Sequence, residues 1–311
     1  MTAGTAESYT ETTIISGKGG SGKTTVVASL AMLADGIVLA DNDVDAADLH
    51  LLIPPTVGQA HDFVGGLQMR IDEAKCTACG ECAEACHFSA IRCRDEEGET
   101  RYQIDELACE GCGLCGHVCE FDAIISQPKK TGRWYLSSTP RGPMAHARLG
   151  IAEENSGRLV TQVRQAAAGL ARKLMLGRIL GDGPPGTGCP VIASVSGADR
   201  VLIVTEPTVS GVHDMERVLR LAAHFRIPAG IVINKADLNQ EQAERIESIA
   251  REMGARILAR IPFDRNVNEA LMAGRTLIEH GKGPAREALI GLWNELKRND
   301  HGENETKESQ S

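Results

Sequence analysis

The sequence predicts an α/β protein with a mostly parallel sheet flanked by helices, interrupted by a small α+β module rich in cysteine. Three observations point there. Short β-rich runs alternate with helical stretches along most of the chain. A glycine-rich loop joins the first such run to the first helix. One cysteine pattern is written twice between residues 76 and 119. The 311 residues have room for one large domain and a small insert. Apolar residues make up 42% and aromatic residues 3%, so the core rests on Val, Ile, Leu and Ala. A formal charge of −9 with no basic block argues against a general nucleic-acid binder. No apolar run has the length of a membrane span. The opening "MTAGTAESYTETT" lacks the layout of a signal peptide. A cytoplasmic protein without membrane or nucleic-acid partners is therefore expected. Eight of the ten cysteines sit in two tight clusters, a pattern of metal binding rather than of disulfides.

Taken in order, Thr12–Ser16 ("TTIIS") reads as a short buried strand. "GKGGSGKTT" follows, then the apolar helix start "VVASLAMLA". "GIVLADNDVDAADLH" is a strand ending in acidic residues. This βαβ opening predicts a parallel sheet. After the cysteine module, "RILGDGPPG" is a strand running into a loop, and "RVLIVTEPT", "AGIVINKAD" and "ARILARIP" are further strands separated by helices. "REALIGLWNELKRND" reads as the last packed helix. The expected organisation is residues 1–70 and 128–298 for the α/β domain, 71–127 for the insert, and a disordered polar tail over 299–311.

Residues 17–24 fit G-x-x-x-x-G-K-[ST], between a strand and a helix, as a phosphate-binding loop requires. Gly17, Gly19, Gly20 and Gly22 let the backbone curl so that N–H groups, with those of Ser21 and Thr25, point at phosphate oxygens. The helix that follows adds its positive end. Lys23 reaches the β/γ-phosphates and Thr24 ligates Mg²⁺. The early Lys18 in "KGGSGKTT" resembles the deviant loop of the MinD/ParA/nitrogenase-iron-protein class. That resemblance implies an ATP-sandwiched dimer, either a homodimer or a heterodimer with a close paralogue, in which Lys18 crosses to the partner's nucleotide. It also implies that Asp41 and Asp43 form the first switch, with Asp43 orienting the attacking water and Asp45 and Asp48 nearby. Asp182 in "GDGPPGTG", close to the Mrp branch, is implied to hold Mg²⁺ through water, and the Gly186 amide to sense the γ-phosphate. Asn234 in "VINKAD" resembles the base-reading asparagine, and Pro262 lies in the "IPFD" loop over adenine. ATP hydrolysis to ADP and phosphate is the implied reaction, one that depends mainly on positioning and charge.

Within each cysteine run the spacing is C-x-x-C-x-x-C-x-x-x-C, and Gly80, Phe88, Ala90 and Ile91 recur as Gly113, Phe121, Ala123 and Ile124. This resembles a bacterial two-cluster ferredoxin, in which the fourth cysteine of each run crosses to the other cluster. The resemblance implies one [4Fe–4S] cluster on Cys76, Cys79, Cys82 and Cys119, and a second on Cys109, Cys112, Cys115 and Cys86. "RCRDEEGETRYQI" reads as the hairpin between the halves. Zinc is the rival for closely spaced cysteines. His87 and Glu120 stand where such runs usually carry proline, and His87 reads as a turn residue. Cys93 lies on the hairpin. Cys189 follows Asp182 by seven residues, where the nitrogenase iron protein has a thiolate of its subunit-bridging cluster; "GPMAHARLG" and its surroundings offer no second one.

The whole chain resembles the MinD/Mrp-type ATPases with an inserted ferredoxin that accompany the orange-protein complex, a likeness that includes "EENSGRLVTQVRQ" and "DGPPGTGCPVIAS". Three functions follow as expectations: an ATP-gated electron donor to a redox or metal-cofactor acceptor protein, a carrier for cluster assembly, and, least favoured, a spatial-positioning ATPase.

Overall fold

The computed structural model describes residues 9–96, 99–150 and 156–308. In chain order the elements are β1 (Thr10–Ser16), α1 (Lys23–Leu33), β2 (Ile37–Asp41), α2 (Leu49–Leu52), β3 (Thr56–Ile71), α3 (Glu81–Glu84), β4 (Ile91–Glu96), β5 (Glu99–Ile104) and α4 (Leu114–His117). They continue as β6 (Ile124–Thr139), β7 (Gly142–Leu149), α5 (Ser156–Leu174), β8 (Arg178–Pro185), α6 (Cys189–Val195), β9 (Arg200–Thr205) and α7 (Val209–His224). The last are β10 (Ala229–Asn234), α8 (Gln240–Glu252), β11 (Arg256–Ile261), α9 (Arg265–Met272), α10 (Leu277–His280) and α11 (Pro284–Glu308).

Among the described residues the main sheet runs β11-β10-β9-β1-β8-β2-β7-β6-β3. From β11 to β7 every pairing is parallel. Central strands such as β1 are apolar on both faces because helices cover both. Ile14 faces one layer with Val27, Leu30, Leu292 and Trp293; its neighbour Ile15 faces the other with Val191, Met215 and Ile246. The switch of face at each residue follows the period of two in a strand. β3, β6 and β7 extend the sheet beyond the strands that the sequence announces. β3 is one of the two edge strands, rich in exposed polar residues and interrupted by Gly58, Gly65 and Gly66, so it lacks the apolar run that marks the centre.

Two compact units divide the chain, one of Met1–His61, Trp134–Arg148 and Ser156–Ser311, the other of Asp62–Arg133 and Leu149–Asn155. The second is wider than the expected 71–127 because β3 and β6 belong partly to each unit. The terminal helix carries its buried Leu289, Leu292, Trp293 and Leu296 into the core, and its backbone stays helical to Glu308 where composition alone predicts a disordered tail; a packed helix lends a frame on which following residues propagate. Residues 309–311 and Glu153–Asn155 of the "EENSGRLVTQVRQ" stretch lie outside the described residues.

The cysteine unit repeats itself in backbone as well as in sequence. Asp72 N–H donates to Ala123 O at 2.7 Å, and Asp105 N–H to Ala90 O at 2.7 Å. Gly80 and Gly113 both take left-handed conformations, φ 89° and 80°, before α3 and α4. Ser89 and Asp122 do the same at φ 51° and 50°. The hairpin β4–β5 sits where expected, with Cys93 opposite Tyr102.

Candidate functional site

The loop after β1 turns twice through positive φ, at Gly20 (80°) and Gly22 (90°). Glycine is required at residue 22 for a second reason: a Cβ there would lie 2.4 Å from Asn234 Nδ2. α1 then begins with Lys23, whose ammonium is buried. Its Nζ lies 2.5 Å from Asp182 Oδ1, 3.4 Å from Asp43 Oδ2 and 3.4 Å from Thr24 Oγ1. The strand ends of β2 and β8 bring these carboxylates together, since Asp41 pairs with Asp182 in register. Asp41 Oδ1 accepts from Asp43 N–H at 3.3 Å.

Charge is out of balance here. Three buried carboxylates, Asp41, Asp43 and Asp182, face one ammonium. Burial, and then Asp182, holds Asp41 well above the ordinary carboxylate range. Burial also raises Asp43; Lys23 pulls it down and Asp182 pushes it up. Burial works to lower Lys23, but Asp182 and Asp43 outweigh it and the net shift is upward. Ser21 Oγ, Asp41 Oδ2 and Asp182 Oδ2 are buried and take no hydrogen bond within the protein. Unpartnered buried oxygens are costly. A divalent cation beside a phosphate would satisfy both the oxygens and the excess negative charge, so the residues present fit Mg²⁺ with a nucleotide.

Other expected site residues stand differently. Lys18 bonds within its own chain, to Thr208 Oγ1 at 3.4 Å and Ser210 Oγ at 3.2 Å. The Gly186 N–H donates to Ser16 O at 2.8 Å, so the amide is already engaged rather than open to a phosphate. Asn234 braces the loop: Nδ2 donates to Ser21 O at 2.9 Å, and Oδ1 accepts from Lys235 N–H at 3.0 Å. Pro262 lies in the turn after β11, where Phe263 N–H donates to Asp237 Oδ1 at 2.6 Å.

Sequence reasoning missed the polar contacts behind the loop. Asn42, between Asp41 and Asp43, is fully buried and its Nδ2 reaches Ser194 Oγ of α6 at 3.5 Å. It crosses β8 where side chains are absent. A Cβ at Gly181 would lie 3.0 Å from Asn42 Nδ2, and one at Gly183 2.8 Å from Ser194 Oγ. The glycines on either side of Asp182 were the available signal. Arg164 of α5 grips Glu11 through two nitrogens at 2.7 and 2.8 Å and also donates to Ala193 O and Ser196 O at the end of α6. On β7, His146 pairs with Asp41 in register and its Nε2 lies 2.8 Å from Ser137 Oγ. Burial, then His50 and Arg148, lowers the His146 pKa to about 4.

In the cysteine unit, Cys86, Cys109, Cys112 and Cys115 line one cavity. Cys76, Cys79, Cys82 and Cys119 line another. Each cavity thus takes three cysteines from one run and the fourth from the other. Both crossing sulfurs accept a backbone hydrogen bond at 3.4 Å, Cys86 from Ala90 and Cys119 from Ala123. Among the described residues no three His, Cys, Asp or Glu side chains converge as ligands of a single ion. Burial, then the Cys76 and Cys79 thiols, pushes the Cys82 thiol up. Burial likewise raises Cys115, with Cys109 adding to it. Thiolates so crowded need positive charge among them, which an iron–sulfur cluster supplies; four sulfurs around a cavity fit such a group. Cys93 is exposed on β4, and Cys189 is exposed at the first position of α6.

No helix among the described residues is long and apolar enough to cross a membrane. An uncharacterised protein of Methanocaldococcus jannaschii is 33% identical over 288 residues, covering 91% of this chain and 95% of its own. A protein of Pyrococcus abyssi described as an iron-sulfur cluster carrier protein is 26% identical over 154 residues, 45% of this chain and 52% of its own. Among solved structures, the septum site-determining protein MinD of Pyrococcus horikoshii, complexed with Mg-ADP, superposes with a TM-score of 0.54 at 18% identity, over 93% of this chain and 96% of its own. That likeness shows the fold, an α/β P-loop NTPase with a mostly parallel sheet flanked by helices. The model of the CobQ/CobB/MinD/ParA nucleotide binding domain matches residues 12–277, most of the chain, and the protein belongs to that family.

Proposed function

We propose that this protein is an ATPase that carries two [4Fe–4S] clusters and uses its nucleotide state to gate electron delivery to a partner protein. The observation that carries the reading is the pair of cavities, each ringed by three cysteines of one run and one of the other. Zinc would draw four thiolates to about 2.3 Å of one point; sulfurs around a cavity suit a larger group. The bound clusters would each accept and release one electron at low potential.

The chain's own residues divide the remaining work. The loop amides and Lys23 bind the β/γ-phosphates, and Thr24 and Asp182 hold Mg²⁺. Asp43, 3.4 Å from Lys23, orients the attacking water once the phosphates draw the ammonium away. Lys18, now on Thr208 and Ser210, swings to the nucleotide of a partner subunit in a homodimer or a heterodimer with a close paralogue. Release of the Gly186 amide from Ser16 and of the Asn234 amide from Ser21 accompanies nucleotide entry. Asn42 and Ser194 then tie the first switch to α6, and Arg164 ties α6 to α5, which follows the insert in sequence.

The test is an anaerobic redox titration read by EPR, with and without MgATP. About 59 mV corresponds to a tenfold change in a one-electron equilibrium. A shift of that order supports gating, because coupling between sites is reciprocal. Unchanged midpoints with hydrolysis intact sink it. A second reading, a carrier for cluster assembly, is favoured by the exposed Cys189 and by the carrier protein among the relatives. Iron passed to an apo-acceptor and lost with Cys189→Ser would select that reading; clusters retained through turnover would reject it.

A further inference from the structure

The two cysteine cavities share one repeat but are not lined alike, and the difference carries an inference that rests on the iron–sulfur reading above. Met69 and Tyr102 stand at matched positions, separated by the same thirty-three residues as Cys76 and Cys109. Each leans over the glycine that opens a short helix. A Cβ at Gly113 would lie 3.6 Å from Met69 Cε, and one at Gly80 would lie 2.7 Å from Tyr102 Oη. Met69 lines the cavity of Cys86, Cys109, Cys112 and Cys115, and Tyr102 that of Cys76, Cys79, Cys82 and Cys119. Each cavity has one further protic neighbour, His87 in the first and Thr77 in the second; both are exposed, where water competes for their hydrogen bonds. Met69 is buried and Tyr102 half-buried.

We propose that the Tyr102 hydroxyl donates a hydrogen bond to the cluster held by Cys76, Cys79, Cys82 and Cys119, making it the more easily reduced of the two. Reduction adds negative charge to the cluster sulfurs. A donor pointing at them binds the reduced form more tightly and raises the potential. A thioether has no proton to give. Cys93, directly across the hairpin, is the acceptor already in hydrogen-bonding contact with the same hydroxyl; the sulfurs of a reduced cluster, carrying more negative charge than a thiol, are the stronger acceptors and draw the O–H to the cavity. An electron entering at the Met69 side therefore passes to the Tyr102 side, oxidising one cluster as it reduces the other.

The experiment is a dithionite titration of the full, anaerobically reconstituted chain, followed by EPR. Wild type should show two midpoints. Tyr102→Phe should lower only the upper one, by threefold to tenfold in the equilibrium, at most about 59 mV. Met69→Leu should move neither. 3-Fluorotyrosine at residue 102, a stronger donor of nearly the same size, should raise the upper midpoint and covers the case in which the phenylalanine variant loads poorly. An upper midpoint that ignores both changes at Tyr102, in a chain carrying eight irons, overturns this proposal alone. Fewer than eight irons in the reconstituted wild type overturns the iron–sulfur reading and this proposal together.

Discussion

The nucleotide loop draws its partners from across the chain: Asp43 from the end of β2, Asp182 from β8, Asn234 from β10. The cysteine cavities draw all their cysteines from residues 76–119. The difference is one of charge as much as of distance. At the loop, opposite charges are buried together and Asp41 Oδ2 and Asp182 Oδ2 take no hydrogen bond within the protein; in the cysteine unit, like groups surround a space. Buried groups of mixed sign depend on every member, whereas repeated groups around two spaces can lose one space and keep the other.

Removing Lys23 is the sharpest way to break this contrast. Lys23→Ala leaves Asp182 and Asp43 buried without a counter-ion, and a loss of about 3–5 kcal/mol is expected by chemical denaturation, together with loss of nucleotide binding. Iron content should hold in whatever fraction stays folded. A stability loss under 1 kcal/mol would mean the carboxylates are not as buried as they stand. Cys119→Ser attacks the other side. It removes the crossing cysteine of one cavity, so on the proposed iron–sulfur reading iron analysis and EPR should show one cluster altered or lost and the second intact, with nucleotide affinity unchanged. Loss of both clusters at once would contradict the independence of the cavities.

Asp43→Asn sharpens the comparison. The raised pKa of Asp43 means that burial and Asp182 outweigh its attraction to Lys23. A raised carboxyl pKa contributes stability at low pH that is lost as pH rises, so at neutral pH the charge is a burden. The amide variant should melt no lower than wild type while turnover falls about 100-fold, as when a group that handles the attacking water is removed. A lower melting point would reverse the sign argued here. His146 gives the smallest effect. Its folded pKa of about 4 lies below the ordinary value near 6.5. Its neutral form thus contributes stability that is present above pH 6.5 and fades as pH falls toward 4. Discounted for partial exposure, the difference is about 1–2 kcal/mol. Melting curves of wild type and His146→Gln should diverge across that window and run parallel elsewhere.

Much of this was legible in the sequence where the physics is local. β1, β2 and β8 to β11 announce themselves as apolar runs because helices cover both faces. The phosphate loop needs its glycines in order, and the cysteine spacing needs its repeat. What stayed hidden is either polar or distant. β3, β6 and β7 extend the edge and carry too many polar residues to stand out. Asn42 meets Ser194 across 152 positions and Arg164 meets Glu11 across 153, so neither pair leaves a local pattern. The intrachain bonds of Lys18 and of the Gly186 amide were also out of reach, since a motif gives the role a residue can play but not the partner it holds meanwhile.

The crossing of the fourth cysteine has a consequence for how the protein is made. Synthesis runs from the N-terminus, and domains generally fold as they emerge. The first run exposes three thiols for one cavity long before Cys119 follows, and Cys86 waits in the same way for Cys109, Cys112 and Cys115. Neither cavity closes until the ribosome has nearly finished the second run, and then both close within a few residues of one another. On the proposed iron–sulfur reading, metal loading should therefore begin late and nearly simultaneously at the two sites, and a nascent chain halted just after Cys86 should present the four thiols of the first run and hold no cluster.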